Sequence, residues 1–173
     1  MFTPFIAGII IILTIMTYLV TSSSVVNYQS VKIAYERAKY VFNVEETIVT
    51  AVENTCSKHV DFCKAKEVDG EIVLTIEDIS SYLPDSFINS NLNGANFNRI
   101  AIKKNYSTIR LDHNIENKES RHIYINYYSG KKYGTPPQCR DGIADKNCST
   151  MAVYHEYPSS TKLMEALSEW IKQ

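Results

Sequence analysis

The sequence predicts an α+β fold: a long N-terminal helix, half transmembrane and half amphipathic, packed on a small antiparallel sheet, with a short C-terminal helix. Three observations carry this. The run from Val25 to Cys56 contains neither glycine nor proline, segments between residues 99 and 157 alternate apolar and polar side chains, and a serine-led segment with helical apolar spacing ends the chain.

The first 20 residues carry no charged side chain. From Phe2 to Val20 the only hydroxyls are Thr3, Thr14, Thr17 and Tyr18, and a helical rise of about 1.5 Å per residue lets such a stretch cross a hydrocarbon core of about 30 Å. A spanning anchor is the reading taken. A cleaved signal is the alternative; it needs a basic leader, a shorter apolar core and a small-residue cleavage site, and only Val20-Thr21-Ser22 offers the last. Pro4 fits the first helical turn, where its missing N–H has no intrahelical partner.

The helix is expected to continue into water as one element of about fifty residues. Tyr28, Val31, Tyr35, Ala38, Phe42, Val49 and Val52 follow the three-and-four spacing of one face, and Ile33, Val41, Val44 and Ile48 widen it. Glu45 interrupts that face. It is expected to reach a backbone donor at the sheet edge or, failing that, a basic residue of a neighbouring subunit. The chain therefore divides into residues 1–21, the membrane half of the helix, residues 22–56, its amphipathic half, and residues 57–173, a globular domain outside the cytoplasm.

Beyond Cys56, residues 57–70 read as a loop with room for a helical turn, ending in Asp69-Gly70. Ile72, Leu74 and Ile76 alternate as a strand does, Asp78 to Tyr82 suits a short helix stopped by Leu83-Pro84, and residues 89–98 are rich in turn formers. Strands are predicted at Arg99–Lys103, Thr108–Asp112 and His122–Tyr128, with residues 113–120 connecting the last two. A long loop over residues 129–150 precedes a fourth strand at Met151–Tyr157. Pro158-Ser159-Ser160-Thr161 then opens a helix whose apolar face is Leu163, Ala166, Leu167, Trp170 and Ile171.

Charge excludes one function class. With 18 basic and 19 acidic residues the net charge is −1, and no block of either sign exists, so nothing draws the chain to nucleic acid. Lys131-Lys132-Tyr133 reads as a solvated turn. The four cysteines fall into two short pairs, Cys56 with Cys63 and Cys139 with Cys148. Of the three possible pairings the local one is the simplest. A zinc site using His59 is the minor alternative. Two disulfides imply an oxidising compartment, which outweighs the positive-inside reading of Lys32, Arg37 and Lys39 because these lie far from the span.

Catalytic chemistry finds little support. His59, His113, His122 and His155 are scattered and no serine sits in a glycine-flanked elbow. Asp112-His113 reads as a solvated turn pair, and Glu45-Glu46 and Glu77-Asp78 as ordinary helix charges. The glycines at 8, 70, 94, 130, 134 and 142 match no phosphate-binding spacing. Neither an enzyme nor a cofactor or metal is expected. Asn105-Tyr106-Ser107 and Asn147-Cys148-Ser149 match the glycosylation sequon, which carries no meaning in a bacterial host.

Phe2-Thr3 heading an apolar helix that runs unbroken to about residue 55, followed by a sheet domain and a cysteine-bounded loop, resembles a mature type IV pilin or minor pilin. That family normally carries Glu at the fifth mature position; here Ile6 or Phe5 stands there, depending on whether counting starts at Phe2 or Met1. Gly70 before a strand, then Leu83-Pro84 and Phe87, is similar to PilM-like small membrane proteins of type IVb and conjugative thin pili. Both resemblances imply a non-enzymatic part of a pilus or secretion assembly. They imply an oligomer whose partners are other assembly subunits and membrane lipid. Its place would be the bacterial inner membrane with the domain in the periplasm, or an extracellular pilus. The positions assigned to helix assembly are Phe2, Pro4, Ala7, Gly8, Thr14 and Glu45, the small ones because they allow close helix approach in lipid. The alternative is an anchored adhesin or binding module reading its ligand with Tyr124, Tyr127, Tyr128 and Tyr133 and the loop between Cys139 and Cys148.

Overall fold

The computed structural model describes residues 3–88, 95–104, 107–127, 135–139 and 151–168. Its dominant element is α1, Thr3–Lys58, 56 residues or about 84 Å long. Several hydroxyl residues are accommodated within it by returning the proton to the preceding turn. Thr17 Oγ1 donates to the Leu13 carbonyl at 2.7 Å, Thr21 Oγ1 to Thr17 at 2.8 Å and Ser22 Oγ to Leu19 at 3.0 Å. One helix among the described residues is long and apolar enough to cross a membrane, and its apolar window has no part buried in the protein.

The domain begins where α1 acquires a covered face. Ala34, Ala38, Val41, Phe42, Val44, Ile48, Ala51 and Val52 are buried. This stripe is only partly the one expected: Tyr28, Val31 and Ile33 remain 71%, 51% and 54% exposed and Tyr35 38%. The domain stops short of the first three and leaves Tyr35 on the flank of the buried stripe.

Against α1 lies a six-stranded, wholly antiparallel sheet in the order β1-β2-β3-β4-β6-β5. Its strands are β1, Glu67–Val68, β2, Glu71–Leu74, β3, Ala95–Lys103, β4, Thr108–Ile115, β5, Thr135–Cys139, and β6, Ala152–Pro158. The inward face carries Ile72, Leu74, Ile100, Ile102, Ile109 and Leu111 onto Ile48, Val52 and Ile79. At roughly 2 kcal/mol for each large apolar side chain removed from water, this layer is the main cohesive force. Asp69 and Gly70 turn β1 into β2 with φ of 53° and 79°, the left-handed pair that a two-residue hairpin needs.

Smaller elements complete the layers. Helix α2, Val60–Lys64, follows the end of α1, with Cys56 and Cys63 in a disulfide between them. A 3-10 turn at Glu77–Tyr82 stops at extended Leu83 before Pro84, as predicted, and helix α3 spans Asp85–Ile88. The C-terminal helix α5, Thr161–Ala166, is capped by Ser160, whose Oγ accepts from Leu163 N, and Ser160 N donates to Glu53 on α1 at 2.7 Å. Leu163 and Leu167 are buried under it; Trp170 and Ile171 lie outside the described residues.

Three expectations require correction. The predicted strand at His122–Tyr128 is helix α4, Lys118–Tyr127. Its buried positions, Ser120, Arg121 and Tyr124, have helical spacing, and Asn117 Oδ1 caps Ser120 N at 2.8 Å, so a cap outweighed the apparent alternation of Ile123 and Ile125. The turn-rich segment before Arg99 ends early, since Ala95–Asn98 already belong to β3 beside a bulge at Phe97/Arg99. The long loop over residues 129–150 contains β5, whose Pro136 and Pro137 are tolerated because it is an edge strand with shifted register.

Candidate functional site

Among the described residues a buried polar cluster is centred on Glu45, and its members come from three layers. Glu45 lies on the buried stripe of α1, His113 on β4, His155 and Tyr157 on β6, and Tyr124 on α4. Alternation puts them there: Ile109, Leu111 and His113 share the inward face of β4, and Val153, His155 and Tyr157 that of β6, in register with it. Glu45, His113, Tyr124 and His155 are wholly buried, and Tyr157 nearly so.

Each carboxylate oxygen receives two bonds. Oε1 accepts from His113 Nε2 at 2.7 Å and from the Tyr124 hydroxyl. Oε2 accepts from His155 Nδ1 at 2.8 Å and from the Tyr157 hydroxyl at 2.7 Å. An ionised carboxylate only accepts, so both imidazoles must turn an N–H toward it. His113 Nδ1 has no hydrogen-bond partner among the described residues. Burial alone raises the Glu45 pKa, but the hydrogen bonds and charge of His113 and His155 outweigh it and lower the pKa to about 2.

Aromatic rings wall the cluster. Phe42 stacks on Tyr124 with centroids 4.5 Å apart, Phe97 covers His113 at 4.8 Å, and Tyr157 covers His155 at 4.1 Å. None of the five lines the groove between α1 and residues 115–120, and the Glu-His pairs are wholly buried. What the arrangement does is fasten α1, α4 and the sheet at one point.

Glu45 is thereby corrected: its partners are four side chains of its own domain, in place of a backbone donor or a neighbouring subunit. Asp112-His113 is likewise no solvated turn, since both are buried in β4, where Asp112 receives a two-pronged bond from Arg110. The zinc alternative at His59 falls because Cys56 and Cys63 are joined; His59 Nε2 lies 3.3 Å from the Tyr82 hydroxyl instead. Cys139 is disulfide-bonded, and Cys148 lies outside the described residues, as does Phe2.

Pro4, Ala7 and Gly8 occupy the opening turns of α1, and Thr14 is exposed on it. Tyr124 is withdrawn from any ligand-facing surface, and Tyr128 and Tyr133 fall outside the described residues. His113 and His155, set among mainly apolar residues on the inward faces of β4 and β6, were the available signal for the cluster.

A second feature lies lower on α1, a groove of about 700 Å³ between Lys32–Val41 and the β4–α4 corner at residues 115–120. Comparison with known protein families, with curated proteins and with solved structures gave no match to this chain.

Proposed function

We propose that this chain is a non-enzymatic structural component of a type IV pilus or a related secretion assembly, held in the inner membrane by the first half of α1. One observation carries the reading. Ile11, Ile12, Leu13, Ile15, Met16, Leu19 and Val20 are each more than half exposed, and the exposed apolar residues continue through Val25, Tyr28 and Val31 before the domain begins. Leaving that much apolar surface in water is costly at roughly 25 cal/mol per Å², so lipid and neighbouring helices are its natural surroundings.

A helix that is both anchor and core element fits the pilin-like layout, and the Glu45 cluster gives it mechanical sense. A pull along α1 would be resisted by bonds to β4, β6 and α4 as well as by apolar packing. The adhesin alternative loses Tyr124, whose hydroxyl is spent on Glu45.

Fractionation tests the proposal. The full chain should resist alkaline extraction from membranes and should recur in sheared pili or in a purified envelope complex. A chain that is extracted as a soluble monomer and is absent from both would end it.

A further inference from the structure

We infer that the groove between α1 and the β4–α4 corner receives the exposed stripe Tyr28, Val31 and Tyr35 of a second copy of this chain, an inference that rests on the anchor reading above. At about 700 Å³ the groove falls within the range of about 300–1,000 Å³ usual for sites that enclose a ligand, and it has room for more than one aromatic ring.

Stripe and groove lie on opposite flanks of one helix. At about 100° per residue, Tyr28, Val31 and Tyr35 fall within about 60° of one another. The helical wall of the groove, centred on Ile33, Glu36 and Tyr40, lies roughly 150° away from them. Ala34 and Ala38 are buried between the two. A chain therefore cannot lay its own stripe in its own groove, whereas a neighbour can. The levels also agree. The stripe begins four residues before the groove wall at Lys32, about 6 Å along the axis, so copies anchored in the same membrane present one to the other nearly face to face.

The two surfaces match in chemistry. Ile33, Tyr40, Val41 and Ile115 give the groove apolar walls, and the stripe brings exposed tyrosines and a valine, side chains that carry large apolar area with a polar tip. Arg37 in the lining suits the face of a tyrosine ring. Glu36 and Glu116 complete the lining with negative charge. The cation for them is Lys39, exposed four residues beyond Tyr35 on the same side of α1. Arg37, Glu36, Glu116 and Lys39 take part in no ion pair among the described residues.

The contact is heterologous, stripe to groove. Each added copy brings a groove for the next stripe, so the same contact can repeat along a row of chains.

The test places two differently tagged versions of the full chain in the same phosphatidylcholine vesicles, the first with a photo-crosslinking amino acid at Ile33, which is exposed in the groove wall. Flotation is scored before illumination. An adduct between the two versions, mapped by mass spectrometry to residues 28–39 of the second, is expected. Lys39→Glu in the second version should cut its yield about fivefold by turning an attraction into a repulsion, and Glu116→Lys in the first should restore it. Lys39→Glu in the first version alone should leave the yield unchanged, because that copy contributes its groove. Flotation without an adduct, an adduct outside residues 28–39, or a yield that ignores Lys39→Glu in the second version overturns the docking and leaves the anchor intact. Failure to float overturns the anchor reading, and the docking with it.

Discussion

Glu45 Oε2 and His155 Nδ1 lie 2.8 Å apart across 110 residues of sequence, both side chains wholly buried. The pair joins the long helix to a strand near the other end of the chain. Burying a carboxylate costs several kcal/mol, and only a complete set of donors offsets it. Glu45 has that set, which makes the cluster brittle toward loss of any member.

Tyr157→Phe removes one donor from Glu45 Oε2 and leaves the ring in place. A lost bond to a buried charge costs about 1.5–3 kcal/mol, or a Tm lower by roughly 5–10 °C. Tyr154→Phe on the outer face of β6, where the hydroxyl bonds Gln138 near solvent, should change Tm by less than about 2 °C. Thermal melts of the two variants followed by circular dichroism make the comparison.

Acid should release the same lock. The Glu45 pKa falls from 4.5 to about 2 on folding, so the ionised carboxylate contributes stability that is complete above about pH 4.5. That stability is lost as pH falls toward 2, and it amounts to something on the order of 3 kcal/mol. His113, His155, Tyr124 and Tyr157 are the groups facing it. Glu45→Gln should be less stable at neutral pH and should show a flatter stability profile between pH 4.5 and 2, read by urea unfolding at each pH.

Gly70 tests backbone geometry without contacts. A Cβ there would meet nothing within 4 Å, yet its φ is +79°. Gly70→Ala should therefore cost about 1 kcal/mol through strain alone. Asp69→Asn, which keeps a residue tolerant of positive φ, should be nearly neutral by the same melts.

The Cys56–Cys63 bridge closes a sequence separation of only 7 residues, so its chain-entropy contribution is modest, about 2 kcal/mol. Cys56→Ala with Cys63→Ala should lower Tm by several degrees and keep the fold, since α1 and the sheet still pack through Ile48, Val52 and Ile100. Urea denaturation of the double variant measures this.

Much of the architecture was legible because it rests on local pattern. The breaker-free run made α1, alternation made β3, β4 and β6, and Ser160 marked α5. What escaped depends on tertiary context. Ile123 and Ile125 alternate as a strand would, but Asn117 caps a helix and Tyr124 finds Glu45. Pro136-Pro137 looks like a loop until an edge strand is needed beside β6. Glu45 showed its oddness at once, as a charge on an apolar face. Its donors could not be named, because they sit 68 to 112 residues away and meet only through strand register.

The central claim is that the uncovered part of α1 is an assembly surface in the membrane. A photo-crosslinking amino acid at Tyr28, 71% exposed on that part of the helix, tests it in the full chain in native membranes. Val68, 56% exposed in edge strand β1, serves as the control position. Discrete adducts at position 28 with a second copy or a pilus or secretion subunit, and none at position 68, are predicted. A membrane-embedded chain that gives lipid adducts alone at position 28 would contradict it.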